Sequence, residues 1–238
     1  MLRTARLLLV CATLSTGAAV AQNPVVVFPK NYSIALDNDL VTVIRVHYGP
    51  HEHVGVHDHS GFATVYVYLS DSGPVHFIHD EKPPFEQTRP PTVKGNFRVS
   101  PGRKERHSVD NLGGQTSDFL RIEFKKISIG ENNGLKEFRG KAPAAPLHSG
   151  DTVEYTNPKL SLERIICNAG APCTIEPIAS PSLLVALSSF VIKTTGASSE
   201  SIPDGGIKWL ASSDSASITG TSHEPVHLLR IVVNQPKR

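Results

Sequence analysis

The chain has 238 residues, of which 39% are hydrophobic, and its 24 basic side chains nearly balance its 22 acidic ones, for a formal net charge of +2. This balance gives no support to a polyanionic partner, and we expect no nucleic acid among its ligands. The length is sufficient for two domains that each bury a core.

The first 21 residues are typical of a secretory signal peptide. Two arginines precede a short apolar run from Leu7 to Leu14, and small residues lead up to Ala21. We predict cleavage after Ala21, which removes the two arginines and no acid, so the formal charge falls from +2 to 0. The apolar run is shorter than the roughly 20 residues that span a membrane. We therefore expect a secreted or periplasmic protein with no stable membrane anchor.

The remaining sequence predicts an all-β protein. Short runs rich in β-branched residues are separated by Gly, Pro, Asn and Ser, and no segment has a convincing helical period. The runs are Leu40–Val46, Thr64–Leu69, Phe119–Phe124, Leu183–Leu187 and Leu228–Val233. This pattern is typical of a sandwich or barrel.

The most specific feature is a histidine-rich stretch that follows the first predicted strand. It contains His51, His53, His57 and His59, and eight of the eleven histidines lie between His47 and His107. Because successive side chains of a strand alternate between its faces, His57 and His59 project from the same face. With His107 they predict a metal site, and a solvated His-rich loop is the alternative.

An internal repeat indicates two domains. The segment from Gly95 followed by Phe119–Phe124 parallels the segment from Gly206 followed by Leu228–Val233. The boundary falls in a Pro- and Ala-rich linker, so we predict an N-terminal domain over residues 22–140 and a C-terminal domain over residues 141–238.

The motifs of the first domain resemble those of the cupins, and the repeat resembles the two-domain bicupins. One motif contains His57-Asp58-His59 and closes at Gly73, and the second contains Gly95, Pro101-Gly102, His107 and Asn111. The resemblance implies two double-stranded β-helix (jelly-roll) barrels in tandem. It also implies that His57, His59 and His107 converge on one divalent metal, whereas the second domain is a degenerate cupin that has lost these ligands.

The sequence departs from the cupin pattern at the expected glutamate ligand. Ala63 and Thr64 stand at its place, so we predict a three-His site with open coordination positions. Glu52 is an alternative carboxylate ligand, and His51 and His53 are candidates for the surroundings or rim of the site.

Other residues are candidates for contacts with a substrate. Tyr66 and Tyr68 share one strand face and either line the cavity or pack in the core. Arg45 and Arg121 lie in apolar strands, and each is a candidate to bind a carboxylate inside the barrel, with an outward charge as the alternative. His76 and His79 have opposite strand parity, and neither is named as a ligand.

Cys167 and Cys173 are the only cysteines after the predicted cleavage site. In an oxidising compartment they favour a disulfide across a short turn, with two buried thiols as the alternative.

Three functions follow from this pattern. The first is a metal-dependent enzyme, similar to a dioxygenase, an isomerase or a hydrolase, that acts on a small and potentially anionic molecule. The second is a non-catalytic protein that binds a small ligand through the metal, and the third is a structural cupin with a vestigial site. The predicted secreted location favours Zn or Mn, because iron(II) is hard to retain there, and imidazole ligation also permits Fe, Ni or Cu. The sequence is compatible with a homo-oligomer.

Overall fold

The computed structural model describes residues 22–127 and 134–234, and the predicted signal peptide, residues 1–21, lies outside them. The described part contains one short helix, α1 (Pro24–Val27), and nineteen strands, which confirms the all-β prediction. The strands are β1 (Tyr32–Asp37), β2 (Val41–Tyr48), β3 (His53–His59), β4 (Ala63–Tyr68), β5 (Val75–His79), β6 (Phe85–Arg89), β7 (Phe97–Ser100), β8 (Glu105–Asn111), β9 (Ser117–Phe124), β10 (Phe138–Gly140), β11 (Gly150–Thr156), β12 (Leu160–Cys167), β13 (Cys173–Ile175), β14 (Ser182–Ala186), β15 (Phe190–Thr194), β16 (Glu200–Ile202), β17 (Ile207–Leu210), β18 (Ala216–Gly220) and β19 (Val226–Val233).

Each half of the chain forms a pair of antiparallel sheets. In the first half, a six-stranded sheet in the order β1-β2-β9-β4-β7-β10 accompanies a four-stranded sheet in the order β3-β8-β5-β6. The second half repeats the arrangement, with β11-β12-β19-β14-β17 beside β13-β18-β15-β16. The corresponding strands have the same order in both halves, which confirms the prediction of two jelly-roll barrels in tandem.

Each barrel has its own core between its two sheets. In the first barrel, Val46 and Phe119 of the large sheet pack with Val54 and Phe77 of the small sheet. In the second, Leu184 and other residues of the large sheet pack with residues such as Ile192 and Ile218 of the small one. Burial of these apolar side chains is the main stabilising contribution to each barrel.

The two large sheets also pack against each other through their outer faces. A third apolar cluster joins Val65 and Leu120 of the first barrel to Leu162, Leu183 and Leu229 of the second. Both faces of β4, β9, β14 and β19 are therefore covered, which explains why these strands read as continuous apolar runs. The barrels stand back to back, and the open ends of the small sheets are left free for function.

Gly102 fixes the turn that leads into β8. Its φ is +86°, and an added Cβ would lie 2.3 Å from the carbonyl oxygen of Phe62, so no other residue fits there without moving the backbone. This close approach ties the β7–β8 turn to the start of β4, and it positions His107 five residues later.

Candidate metal centre

The pairing of β3 with β8 brings the three predicted ligands together. The strand register places His57 directly opposite His107, and His59 follows two residues later on the same face. A bulge between Val54 and His57 shifts the register and breaks the alternation of side chains near Gly55. Because of this bulge, His57 and His59 point inward while His53 points outward.

The three imidazoles form a tight, buried cluster. The Nε2 atoms of His57 and His59 are 3.1 Å apart, and the three ring centroids are separated by 4.8 to 5.0 Å. One ligand nitrogen from each ring lies within 4.8 Å of the others, and all three side chains are buried. Rings this close, with their nitrogens directed at a common point, have the geometry of a metal site.

The protonation state of the cluster suits a metal. Burial lowers the pKa of all three histidines, for His107 to about 2, so the rings are neutral at pH 7. The Nδ1 atom of His57 lies 2.8 Å from the carbonyl oxygen of Gly55, which assigns the proton to Nδ1 and makes Nε2 an acceptor. Neither ring nitrogen of His107 has a hydrogen-bond partner. Buried polar atoms are rarely left unpaired, so a divalent ion fits these residues.

Two buried tyrosines lie beside the cluster, one in contact with it and one behind the first, and sequence reasoning missed both. The hydroxyl of Tyr32 lies 2.8 Å from His57 Nε2 and 2.8 Å from the hydroxyl of Tyr48. Burial raises the pKa of both phenols, so both remain protonated donors. Since His57 Nε2 is an acceptor, Tyr32 donates to it. Nothing in the local sequence around Tyr32 indicates this contact, which depends on the pairing of β1 with β2.

Arg121 points into the barrel beside the cluster, as one of its two sequence interpretations predicts. Its Nε donates to Glu123 at 2.7 Å, and its Nη1 donates to the Tyr66 hydroxyl at 2.8 Å and to Glu105 at 3.4 Å. Burial opposes ionisation of Glu105, but Arg121 and its basic neighbours offset that cost and hold the pKa of Glu105 at about 2. The charge of Arg121 is thus matched within the protein. Glu105 shares the inward face of β8 with His107. Its position two residues before His107 could have indicated this, but its basic sequence neighbours make it resemble an exposed residue.

Two cavities adjoin the cluster. The inner one is lined by His59, His107, Tyr66 and Arg121 and has a volume of about 10 Å³, room for about one water. The outer cleft, of about 710 Å³, reaches His59 and Glu105 from outside. It is lined in part by the apolar side chains Pro24, Val25, Ile34 and Ile44. A small molecule in this cleft would meet the cluster at His59.

Three of the predicted residues lie apart from the cluster. Glu52 accepts hydrogen bonds from the backbone of Gly49 at 2.5 Å and from Lys30 at 3.0 Å, so the structure does not bring its carboxylate to the imidazoles. His53 is exposed and lies 2.6 Å from Asp110. His51 is an exposed turn residue with φ of 53°.

The structure separates the predicted substrate-lining residues into two groups. Tyr66 and Arg121 line the inner cavity. Tyr68 lies next to Phe119, with the ring centroids 6.1 Å apart, and lines a separate cleft. Arg45 donates from Nη2 to the carbonyl oxygen of Gly205 at 2.8 Å, so it joins the two barrels and does not face the site.

His79 is a fourth imidazole beside the cluster, and the sequence analysis did not include it. The β5–β8 register places it opposite His107, with the ring centroids 5.1 Å apart. It is buried, it stacks on Phe85 at 4.2 Å, and its Nε2 has no hydrogen-bond partner. Strand parity excludes that both His76 and His79 face inward, but only the register shows that His79 is the one that does.

The second barrel has no equivalent cluster among its described residues. Its register pairs Ile175 with Ala216 where the first barrel pairs His57 with His107. Cys167 and Cys173, at the start of this small sheet, are joined by a disulfide with Cα atoms 5.8 Å apart.

Comparisons with solved structures show the same fold. AerE from Microcystis aeruginosa is similar over 86% of this chain and 98% of its own, with 11% identity and a TM-score of 0.59. Salicylate 1,2-dioxygenase from Pseudoaminobacter salicylatoxidans, in a structure with gentisate, covers 82% of this chain over 68% of its own, with 11% identity and a TM-score of 0.54. Oxalate decarboxylase OxdC from Bacillus subtilis is similar over 84% of this chain and 70% of its own, with 11% identity and a TM-score of 0.53.

No family model matches the sequence, and no curated protein matches it. At these identities the solved structures establish the fold alone, and the predicted architecture of two jelly-roll barrels in tandem is confirmed. Over residues 22–127 and 134–234, no helix has the length and apolar character needed to cross a membrane.

Proposed function

We propose that the N-terminal barrel binds one divalent metal ion through His57, His59 and His107 and acts as a metal-dependent enzyme on a small molecule. The observation that carries this proposal is the set of three neutral, buried imidazoles whose nitrogens lie close together. Both ring nitrogens of His107 lack a hydrogen-bond partner. An apolar core would avoid the cost of burying these groups, so their retention supports a ligand. Zn, Mn and Fe all accept imidazole ligands, and a Mn(II) centre is named for the oxalate decarboxylase of similar fold.

A metal held by three neutral ligands would supply Lewis-acid activation, with coordination positions open to water or substrate. The protein side chains then divide the remaining tasks. The cleft beside His59 binds the substrate and its apolar wall limits the access of water. Tyr32 is a neutral hydroxyl donor beside His57 and is bound in turn by Tyr48, and the Arg121–Glu105 pair holds a fixed dipole next to His107.

The two similar enzymes act, by their names, on salicylate and oxalate. These substrates make small carboxylates the first class to test here. The apolar wall of the cleft formed by Pro24, Val25, Ile34 and Ile44 suits an aromatic or aliphatic body on such a molecule.

A non-catalytic metal-dependent binding protein is the second candidate. The small inner cavity favours it, because a space for about one water admits a metal ligand and no more. In that case the outer cleft would hold a ligand without turnover.

We further propose that the protein is exported and cleaved after Ala21. The backbone nitrogen of Gln22 donates to Asp58 Oδ2 at 2.6 Å, and cleavage would turn this nitrogen into an α-ammonium group with a charge-assisted bond to Asp58. The disulfide supports an oxidising compartment. Mass analysis of the exported protein should give a chain that begins at Gln22, and a chain retaining residues 1–21 would contradict the proposal.

The functional proposal is tested by metal analysis followed by assays with substrate. Protein purified without chelator should carry one metal per chain, and oxygen uptake or carbon dioxide release should be followed with salicylate, gentisate and oxalate. Turnover that disappears in His107→Ala supports the enzyme. Stoichiometric metal with ligand binding but no turnover across this panel would support the binding protein. Metal-free protein that does not take up added ions would overturn both.

A further inference from the structure

We propose that the N-terminal barrel carries a second site, for an oxyanion, in a cleft of about 200 Å³ lined by Arg89, Arg98, Arg139 and Lys141. This site is separate from the three-His cluster and does not rest on the function proposed above. The cleft and the inner metal cavity share only Arg89 among their lining residues.

The charge of the cleft is entirely positive. Its wall holds three arginines and one lysine, and no acidic residue lines it. The other lining residues are uncharged: Tyr68, Pro90, Pro91, Thr92, Asn96, Phe97 and Gly140. By contrast, the outer cleft beside His59 mixes basic residues with several acids, so it has no comparable single sign of charge.

Two of these arginines lack the carboxylate partner that other buried arginines of the molecule have. Arg121 pairs with Glu123, and Arg164 pairs with Glu154. Within the described ranges, neither Arg89 nor Arg98 forms an ion pair, and the Nε and Nη2 atoms of Arg98 are buried without a hydrogen-bond partner. Both residues are half-buried. Buried guanidinium nitrogens without a partner are costly, so those of Arg98 point to a counter-ion.

Aromatic rings hold both guanidinium groups in place. Arg98 lies over the ring of Tyr66, at 4.0 Å from its centroid, and Arg89 lies over the ring of Phe77 at 4.2 Å. Cation–π contacts of this kind fix a guanidinium without neutralising it. Burial and the neighbouring charge of Arg98 lower the pKa of Arg89. Burial opposes the charge of Arg98, but its electrostatic neighbours, among them Glu105 and Glu137, raise its pKa. The two groups are thus preorganised and close enough to repel each other, and neither forms a direct ion pair.

A small oxyanion satisfies these features. The planar guanidinium group binds carboxylate and phosphate through paired N–H donors, which explains why arginine predominates at such sites. The cleft is large enough for one phosphate ion or for the carboxylate end of a larger molecule. Lys141 at the rim adds a mobile charge on the solvent side.

The experiment uses the mature chain, stripped of metal by chelator, and measures binding of inorganic phosphate and of malonate by calorimetry at low ionic strength. We expect saturable binding of at least one anion, at least ten-fold weaker in Arg89→Gln and Arg98→Gln. Lys208→Gln is the matched control, because Lys208 is paired with Glu200 in the second barrel, and it should bind like the unmodified chain. Lys141→Gln removes an exposed charge with little risk to folding and should weaken binding about three-fold or more.

Each result decides the matter. Binding of phosphate alone assigns a phosphoryl group to the site, and binding of malonate alone assigns a carboxylate. No saturable binding of either anion, or equal loss in Lys208→Gln and Lys141→Gln, would overturn the proposal. Because the chain is metal-free in this experiment, failure of the three-His proposal does not affect the outcome.

Discussion

Where the first barrel pairs His57 and His79 with His107, the second barrel pairs Ile175 and Thr194 with Ala216. The strand order is the same in both barrels, and the pairing of β5 with β8 has the same register as that of β15 with β18. In the second barrel, Ile175 and Ala216 belong to a continuous apolar core. The jelly roll therefore needs no imidazole at these positions, and the three histidines of the first barrel are retained at a cost that the fold does not require.

A second pair of equivalent positions differs in a similar way. Arg121 on β9 and Arg230 on β19 both face inward, opposite Tyr66 and Leu184 of the neighbouring strands. Arg121 is bound to two glutamates and a tyrosine. Arg230 donates from Nε to Ser182 Oγ at 3.2 Å, and its Nη1 lies 3.8 Å from Glu163 Oε2, a longer and weaker ion pair. The second barrel keeps the inward arginine but has lost the network around it.

The comparison is tested most directly by removing one buried histidine from each half. His107→Ala should abolish stoichiometric metal binding, because it removes one of three ligands, a larger change than the roughly 10- to 100-fold loss of affinity that outer contacts cause. His227→Ala, which removes a buried histidine bound to Arg164 in the second barrel, should leave the metal content unchanged. Elemental analysis of both variants after dialysis against the metal measures the difference. Equal losses in the two variants would contradict the assignment.

Replacing the inward arginine should reduce the free energy of unfolding more in the first barrel than in the second. Arg121→Met leaves Glu123 and Glu105 buried without their cation, and we expect a loss of about 3–5 kcal/mol in the free energy of unfolding. Arg230→Met removes a weaker pair and should cost about 1–2 kcal/mol. Urea denaturation of both variants compares them, and a larger loss in Arg230→Met would show that the Arg121 network is not the stronger one.

Much of this contrast could be predicted from residue patterns. The parity of His57 and His59 placed two imidazoles on one face, and the repeat of β7 and β9 in β17 and β19 indicated two domains. The resemblance to the cupin motifs, with Pro101-Gly102 before His107, added the third ligand and the jelly-roll barrels. The loss of ligands at Ile175 follows from the same alignment.

The remaining features depend on distances between segments far apart in the sequence. Tyr32 reaches His57 from a strand 25 residues away, and Arg45 contacts Gly205 across 160 residues. Glu52 is captured locally by Gly49 and Lys30. Such contacts depend on strand register and packing, and the periodicity of the sequence does not determine them.

Acid should destabilise the metal-free first barrel before the second. Burial lowers the pKa of His57, His59, His79 and His107 in the folded state, so the unfolded chain binds more protons below its own histidine pKa of about 6.5. Stability is therefore full above that value and falls as the pH decreases, by up to about 1.4 kcal/mol per pH unit for each histidine.

In the second barrel, burial lowers the pKa of His227 to about 4. Thermal melts of the metal-free protein between pH 7 and pH 5, with tyrosine and tryptophan signals separated, should show the tyrosine-rich first barrel losing stability sooner. Trp209 reports on the second. An equal loss of stability in both barrels as the pH falls would contradict the predicted difference between them.

The disulfide should matter only locally, in the second barrel. Replacing Cys167 and Cys173 together by serine opens a short loop, and the loop-entropy relation gives a loss of about 2 kcal/mol. The metal content of the first barrel should not change. Denaturant midpoints and metal analysis of the double variant check both statements, and loss of metal would show a coupling between the barrels that the structure does not contain.

Tyr32→Phe should have the smallest effect and should sharpen the role of the hydroxyl. The metal-free protein loses the hydrogen bonds to His57 and Tyr48, which costs about 1 kcal/mol. Because the hydroxyl occupies the same Nε2 atom that a metal would use, its removal should leave metal affinity unchanged or tighten it a few-fold. Competition with a metal indicator dye measures this, and a loss of affinity beyond ten-fold would show that the hydroxyl belongs to the metal site.

The central claim is that three imidazoles of the first barrel hold one metal ion. X-ray absorption spectroscopy of the metal-loaded, unmodified protein tests it most directly, since it reports the number and type of ligands. We expect one metal per chain with three imidazole ligands at about 2.0–2.2 Å and the remaining positions filled by oxygen. A shell with fewer than two imidazoles, a sulfur ligand, or no bound metal at all would contradict the account.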